Sequence, residues 1–475
     1  MRVKSVGQWQ LRASFAQRLS DMYGREVPAY TTLVDVSREV NADVLRRAGA
    51  DAERLGSIGR VTAERHGAIR VGTPAEMQQV ARIFGALGMH PVGFYNLREA
   101  GSSAVPVVST AFRPIAAEEL ARNPFRVFTS MLTPADPRFF APDLRRRLES
   151  FLASRELFPP ELLDLADLAE RDRELSGDDA ERFLGLAVGA FELSGEPVDK
   201  AWYETLEKVS GVAADIGGVR STHVNHLTPR VLDIDELYRR MTERGVRMID
   251  AIQGPPRWGG PDLLLRQTSF RALAEPRRMR LPDGTVTSGE LRVRFGEVEA
   301  RGIAPTRAGR ARCDALAAEV DRRLAAGPEA DRAATERAVW AAGLPPTERG
   351  LIADDLAYFT YRLSDDRRDD GRTPPDTVLG LLDSGWIRAE PVVYEDFLPR
   401  SAAGIFRSNL SGDGARDDAQ EAPHYDSAWL AGAVERHVHD PFVLYDRLRD
   451  ESLELVARHF GTTGVTTADR TRMAP

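Results

Sequence analysis

The chain has 475 residues, 42% hydrophobic, 29% charged and 7% aromatic, the mixture of a globular protein with room for roughly two to four packing units. Its net charge of −8, with arginines scattered among Asp and Glu and only Lys4, Lys200 and Lys208 as lysines, argues against a phosphate-tracking nucleic-acid surface. No apolar run reaches the roughly 18 residues of a spanning helix, and the single cysteine, Cys313, excludes an internal disulfide or a thiolate-rich metal site. Met1–Gln8 lacks the apolar stretch and small-residue cleavage site of a signal peptide, so a reducing cytoplasm is the expected location.

In chain order, Leu11, Phe15, Leu19 and Met22 recur at helical spacing and predict an amphipathic helix over 8–23. Residues 60–132 alternate strand-like and helical stretches with Gly and Pro punctuation. Residues 137–214 turn helical and acidic, with one apolar stripe of Phe183, Leu184, Ala187, Val188 and Phe191. Strand patterns return over 221–302, including a strand expected across 290–301. A second helical region, rich in Arg and Ala, covers 306–364. The remainder mixes short strands, helices and a polar loop at 411–420. Alternating strands and helices with two helical insertions make an α+β fold, expected as one elaborated catalytic domain over 1–475.

An internal repeat runs through this pattern. His66-Gly-Ala-Ile-Arg70-Val71-Gly-Thr73-Pro-Ala-Glu76 is matched by His226-Leu-Thr-Pro-Arg230-Val231-Leu-Asp233-Ile-Asp-Glu236. Histidine, arginine, valine, a capping residue and a glutamate recur at identical offsets. Thr73 with Glu76, and Asp233 with Glu236, fit the pattern in which side chains satisfy the first N–H groups of a helix. Each following helix has an apolar face, Met77, Val80, Phe84 and Leu87 in one and Leu237 and Met241 in the other. Each is expected to end at a glycine, Gly88 or Gly245. Both copies therefore read as a histidine-bearing strand, a tight connection, a helix and further strands.

Eight histidines exist, at 66, 90, 223, 226, 424, 437, 439 and 459, and a His/carboxylate metal site must draw on them. The repeat selects His66 and His226. His223 is the competitor for His226, but on a regular strand positions 223 and 226 face opposite sides. On the late strand, Glu297 and Glu299 share a face, so both are candidates for a carboxylate ligand. Two histidines and one carboxylate leave open coordination positions, as in non-haem Fe(II) oxygenases, and the same set suits zinc. Arg70 lies an even number of residues from His66 and points to the same face; Arg230 holds the same offset in the second copy. His437-Val-His439-Asp440 has the look of a short metal motif, but nothing around it repeats, and a packing role is expected. Cys313, in a helical stretch without a partner, is expected to be inert.

The order of these stretches resembles the 2-oxoadipate dioxygenase/decarboxylase family of lysine catabolism, within the vicinal oxygen chelate superfamily. The resemblance is carried by Glu64-Arg-His66-Gly-Ala-Ile-Arg70, Asn225-His226-Leu-Thr-Pro-Arg230, Leu264-Leu-Arg266-Gln267-Thr-Ser-Phe270 and Glu297-Val-Glu-Ala-Arg301-Gly302. Tyr394-Glu-Asp-Phe-Leu-Pro399 and Ser401-Ala-Ala-Gly404-Ile-Phe406 continue it. It implies paired βαβββ modules, over 60–132 and 221–302, that form a central barrel-like sheet, with residues 306–475 completing the site. It also implies an Fe(II) enzyme that turns 2-oxoadipate and O2 into 2-hydroxyglutarate and CO2. By this resemblance His66, His226 and Glu297 hold the iron, and Arg70, Arg400 and Ser401 contact the substrate. Arg400 departs from the small aliphatic residue usual in the family. The residues alone leave open a Zn²⁺ or Mn²⁺ lyase, isomerase or hydrolase, and a non-catalytic small-ligand binder; neither a nucleic acid nor a membrane is an expected partner.

Overall fold

The helical spacing of Leu11, Phe15, Leu19 and Met22 is realised in a helix over Gln8–Glu26 that buries all four. Phe15 meets Phe84, Phe125 and Phe191 edge-on in the main core, the ring geometry that aromatic quadrupoles favour. The computed structural model describes residues 5–63, 65–99, 104–292, 294–327, 331–364, 373–398, 416, 417 and 419–461. Arg400, Ser401 and most of the expected 411–420 loop lie outside the described residues.

Around this core the described chain is a mixed α+β structure with several sheets and many helices. The largest sheet has five strands in the spatial order His90–Asn96, Val107–Arg113, Arg126–Leu132, Arg65–Val71, Val224–Pro229. Only Arg65–Val71 and Arg126–Leu132 run parallel. A parallel pair needs a long crossover, and here it contains the helix Pro74–Ala86. The strand bearing His66 and the strand bearing His226 lie side by side, antiparallel. The first strands of the two repeats thus share one sheet.

The second copy continues through the helix Ile234–Glu243 to the strands Leu265–Ser269 and Glu297–Arg301, which pair antiparallel with Ser269 opposite Glu297 and Gln267 opposite Glu299. One parallel bridge, Arg230 to Glu299, and a 2.8 Å hydrogen bond from Val231 N–H to the Glu299 carbonyl join this pair to the end of the His226 strand. A closed barrel is not shown: among the described residues the strands fall into five sheets, with the Arg230–Glu299 bridge between two of them.

The strand expected across 290–301 is also divided. Its first part ends at Leu291, in a hairpin with Glu275–Arg280, and its second begins at Glu297. Between them Arg294 turns inward to Glu275 and Glu26, and Gly296 lies so close under Phe270 that a Cβ would stand 2.0 Å from the ring. These demands redirect the backbone from one sheet to another.

Both helix starts are capped. Thr73 and Glu76 form the full reciprocal box, each side chain bonded to the other's backbone N–H at 3.2 Å. Asp233 accepts from Glu236 N–H at 3.1 Å, but the Glu236 carboxylate turns away to Arg239 and Arg240. Gly88 and Gly245 take the left-handed conformation expected of them, with φ of 68° and 77°. The helices Pro142–Ala153, Pro160–Asp172, Gly177–Gly189, Lys200–Glu207 and Gly211–Gly217 fill the first helical region. Arg307–Ala326, Arg332–Gly343 and Glu348–Ala353 fill the second, around a separate apolar cluster that includes Cys313, Trp340 and Phe359. Among the described residues no helix is long and apolar enough to cross a membrane.

Candidate metal centre

Strand alternation places His66, Ala68 and Arg70 on one face of the central sheet. His226 stands opposite Ala68 on the neighbouring strand, diagonal to His66 and within reach of it. Glu297 approaches from the second strand pair. Its Oε1 is 3.4 Å from His66 Nε2, and its Oε2 is 3.5 Å from His226 Nε2. All three side chains are buried, and their ligand atoms lie within 4.8 Å of one another. The two histidines thus present Nε2 to the two oxygens of one carboxylate, a grouping compact enough to hold a metal ion. Among the described residues this is the only such His/carboxylate group.

Burial and the neighbouring carboxylates set the protonation preferences of the three side chains. Burial, the largest influence, pushes the Glu297 carboxyl above its usual range and drives the His226 imidazole well below its own. For His66, burial opposes protonation, but Glu299 and Glu297 outweigh it and raise the ring's affinity for a proton.

Glu299 occupies the other side of His66. Its Oε2 is 3.0 Å from His66 Nδ1, off the line of a straight hydrogen bond, while Arg301 grips both of its oxygens at 2.7 and 2.8 Å. Arg301 also donates to the carbonyls of Tyr394 and Asp396. Phe397 sets its ring edge-on to His66 at 4.9 Å and lies under the Arg301 guanidinium. His226 has a different back wall, the ring of Phe295 at 5.0 Å.

Arg70 is buried on the His66 face, its Cα about 13 Å along the strand from that of His66. It forms an ion pair with Asp215, which also accepts from Asn225 Nδ2 at 2.9 Å and lies 3.4 Å from His223. Burial works against the Asp215 charge, but His223 and Arg70 outweigh it and hold the carboxyl low. Strict alternation fails between His223 and His226. Ala68 pairs with His226 and Ile69 with Val224, leaving Asn225 as an extra, bulged residue. Their assignment to opposite faces is corrected by this bulge: His223 turns toward Asp215, and His226 alone reaches Glu297. A cavity of about 690 Å³ is walled by Asp215, His223, Trp202, Arg220 and Arg277 beside this cluster.

Arg230 does not repeat the placement of Arg70. It follows the end of its strand and donates to the Leu55 carbonyl at 2.7 Å. His439 bonds through its backbone to Pro91 and Gly93, extending the sheet edge, with its ring against those of His437 and His90. Cys313 is buried, and burial pushes its thiol up to about 12, too high for a reactive thiolate.

A family profile described as 2-oxoadipate dioxygenase/decarboxylase matches residues 15–409. A protein of that name from Mycobacterium bovis is 57% identical over 95% of this chain and 99% of its own. The chain belongs to the 2-oxoadipate dioxygenase/decarboxylase family. Another relative so named, from Pseudomonas putida, is 39% identical over 94% of this chain and 96% of its own. A crystal structure of hydroxyglutarate synthase from Pseudomonas putida in complex with 2-oxoadipate superposes with a TM-score of 0.81 at 36% identity, covering 96% of this chain and 99% of that one.

For this family member, the sequence reading left Asp215 out of the site altogether. Its only signal is a lone acid in the apolar, small-residue helix Gly211–Gly217. Phe397 and Arg301 stood inside stretches that carried the resemblance, but nothing in their spacing pointed at His66.

Proposed function

We propose that the chain is an Fe(II)-dependent enzyme that converts 2-oxoadipate and O2 to 2-hydroxyglutarate and CO2. The observation that carries this reading is the buried convergence of His66, His226 and Glu297 in a chain whose relatives bear the dioxygenase/decarboxylase name. In this reading the three residues hold Fe(II), and the two βα-led units are paired modules of one elaborated catalytic domain. Bound there, Fe(II) supplies electrons and open positions where a 2-oxo acid and O2 meet.

The chain's own residues do the rest. Arg70 takes the carboxylate at the far end of the substrate, because a guanidinium binds a carboxylate with two parallel bonds. Asp215, itself held by the Asn225 amide, fixes that guanidinium from behind. Phe397 and Phe128, packed at 5.0 Å on the same side, keep water from the reacting carbons. Arg400 and Ser401 are retained as substrate contacts on the strength of the resemblance.

The test is anaerobic loading with Fe(II), followed by measurement of O2 uptake and CO2 release with 2-oxoadipate. Equal consumption of O2 and release of CO2 is expected. Activity no greater than that of the metal-free protein overturns the reading.

A further inference from the structure

We infer that Glu299 is a positioning residue for the metal: it accepts from Nδ1–H of His66 and holds that ring, but not the ring of His226, with Nε2 aimed at the ion. The inference rests on the reading of His66 and Glu297 as metal ligands.

A histidine that binds a metal through Nε2 carries its proton on Nδ1, and an acceptor there fixes both the tautomer and the ring orientation. Glu299 is placed for that task. Its Oε2 is 3.0 Å from His66 Nδ1, whereas Glu297 faces Nε2 of the same ring. Two glutamates two residues apart on one strand face thus address the two nitrogens of one histidine. Glu299 is entirely buried, and a buried carboxylate needs a charge partner to stay ionised. Arg301 supplies it in bidentate form, with its Nε and Nη2 on the two Glu299 oxygens at 2.7 and 2.8 Å.

The anchoring is rigid beyond the ion pair. Arg301 Nη1 is tied to the carbonyls of Tyr394 and Asp396. Asp396 in turn accepts from Arg113 Nε at 3.0 Å. Phe397 closes the loop by touching both His66 and Arg301. The ring of His66 is therefore held from behind by a carboxylate and from the side by an aromatic edge. His226 has Phe295 against it, and its one carboxylate contact among the described residues is at Nε2; only His66 has a carboxylate at Nδ1 as well. The two histidines consequently differ as donors, with His66 the more electron-rich.

The test uses the full chain, stripped of metal and titrated with Co²⁺, read by visible ligand-field bands and by competition with a chromophoric chelator. Wild type is expected to bind Co²⁺ and H66A to lose it; failure of either overturns the metal reading itself. Against that baseline, E299Q is expected to weaken Co²⁺ about 10- to 100-fold and to alter the ligand-field bands. E299M/R301M removes the buried pair together, so it folds without an orphaned arginine, and the same loss is expected. Folded variants with wild-type affinity and bands overturn the inference and leave Glu299 as the counterion of Arg301.

A measurement on wild type does not depend on any variant folding. In Zn²⁺-loaded, ¹⁵N-histidine-labelled protein, the His66 proton is expected on Nδ1, shifted downfield of its His226 counterpart and slower to exchange. A His66 proton equal to that of His226, or absent from Nδ1, overturns the inference.

Discussion

The two copies of the repeat begin from the same frame of residues and end in different environments. In the first, the strand continues to Val71, so Arg70 stays on the face of His66 and meets Asp215. In the second, Pro229 ends the strand, and Arg230 turns to Leu55 at the far side. His66 has Glu299 at its back and His226 has Phe295. Glu76 is buried, completes a capping box and pairs with Arg155, whereas Glu236 lies at the surface among Arg239 and Arg240. The repeated frame supplies two histidines pointing at one place; what surrounds each is set by the elements packed against it.

The largest expected effects concern the part of the frame that stays equivalent. H66A and H226A should each lower O2 uptake with 2-oxoadipate about 1,000-fold or more, the scale of several kcal/mol of metal assistance. H223A should keep the metal; if it alone abolishes metal binding, the equivalence of His66 and His226 is broken. The arginines should separate the copies. R70K should raise KM about 100-fold by losing a two-point charged contact, while R230K should leave KM unchanged and lower the melting temperature. An equal rise in KM for both would restore the symmetry denied by their placement.

His223 offers a pH test of the Asp215 cluster. Burial, opposed by Asp215, takes its pKa from an ordinary 6.5 to about 4. The unfolded chain therefore binds a proton before the folded one does. Stability should fall as pH drops through 6.5, with the loss complete near 4, and the cost reaches about 3 kcal/mol. Urea unfolding across that window should show a flatter acid limb for H223Q than for wild type. The glutamates give a similar contrast at neutral pH: E76A, which leaves Arg155 buried and unpaired, should cost about 3 kcal/mol, and E236A should leave the melting temperature unchanged. The smallest effects belong to the caps, where T73A and D233A should each cost about 1 kcal/mol in chemical denaturation.

Much of this was legible because it is local. Capping residues, the glycines at 88 and 245, and helical apolar spacing are imposed by short-range backbone chemistry, and each led to the expected element. The repeat named His66 and His226 because equal offsets on two strands impose equal facing. The strand over 290–301 was misread because a β-like pattern cannot reveal that Gly296 passes under Phe270. The bulge at Asn225 was hidden for a related reason: it exists only against the partner strand, and it overturned the simple parity separating His223 from His226.

By itself, the sequence determined which residue types any metal site here must use, since one cysteine leaves only histidine and carboxylate. It also determined the two histidine-bearing strands and the helices that follow them. Only the tertiary structure separates Glu297 from Glu299: both lie on one strand face, and each meets a different nitrogen of His66. It likewise decided that Arg70 and Arg230 part company and that Asp215, more than a hundred residues from Arg70, belongs beside it. The physical reason is common to all three: facing along a strand is a property of the chain, but a partner at the end of a side chain is a property of the packing.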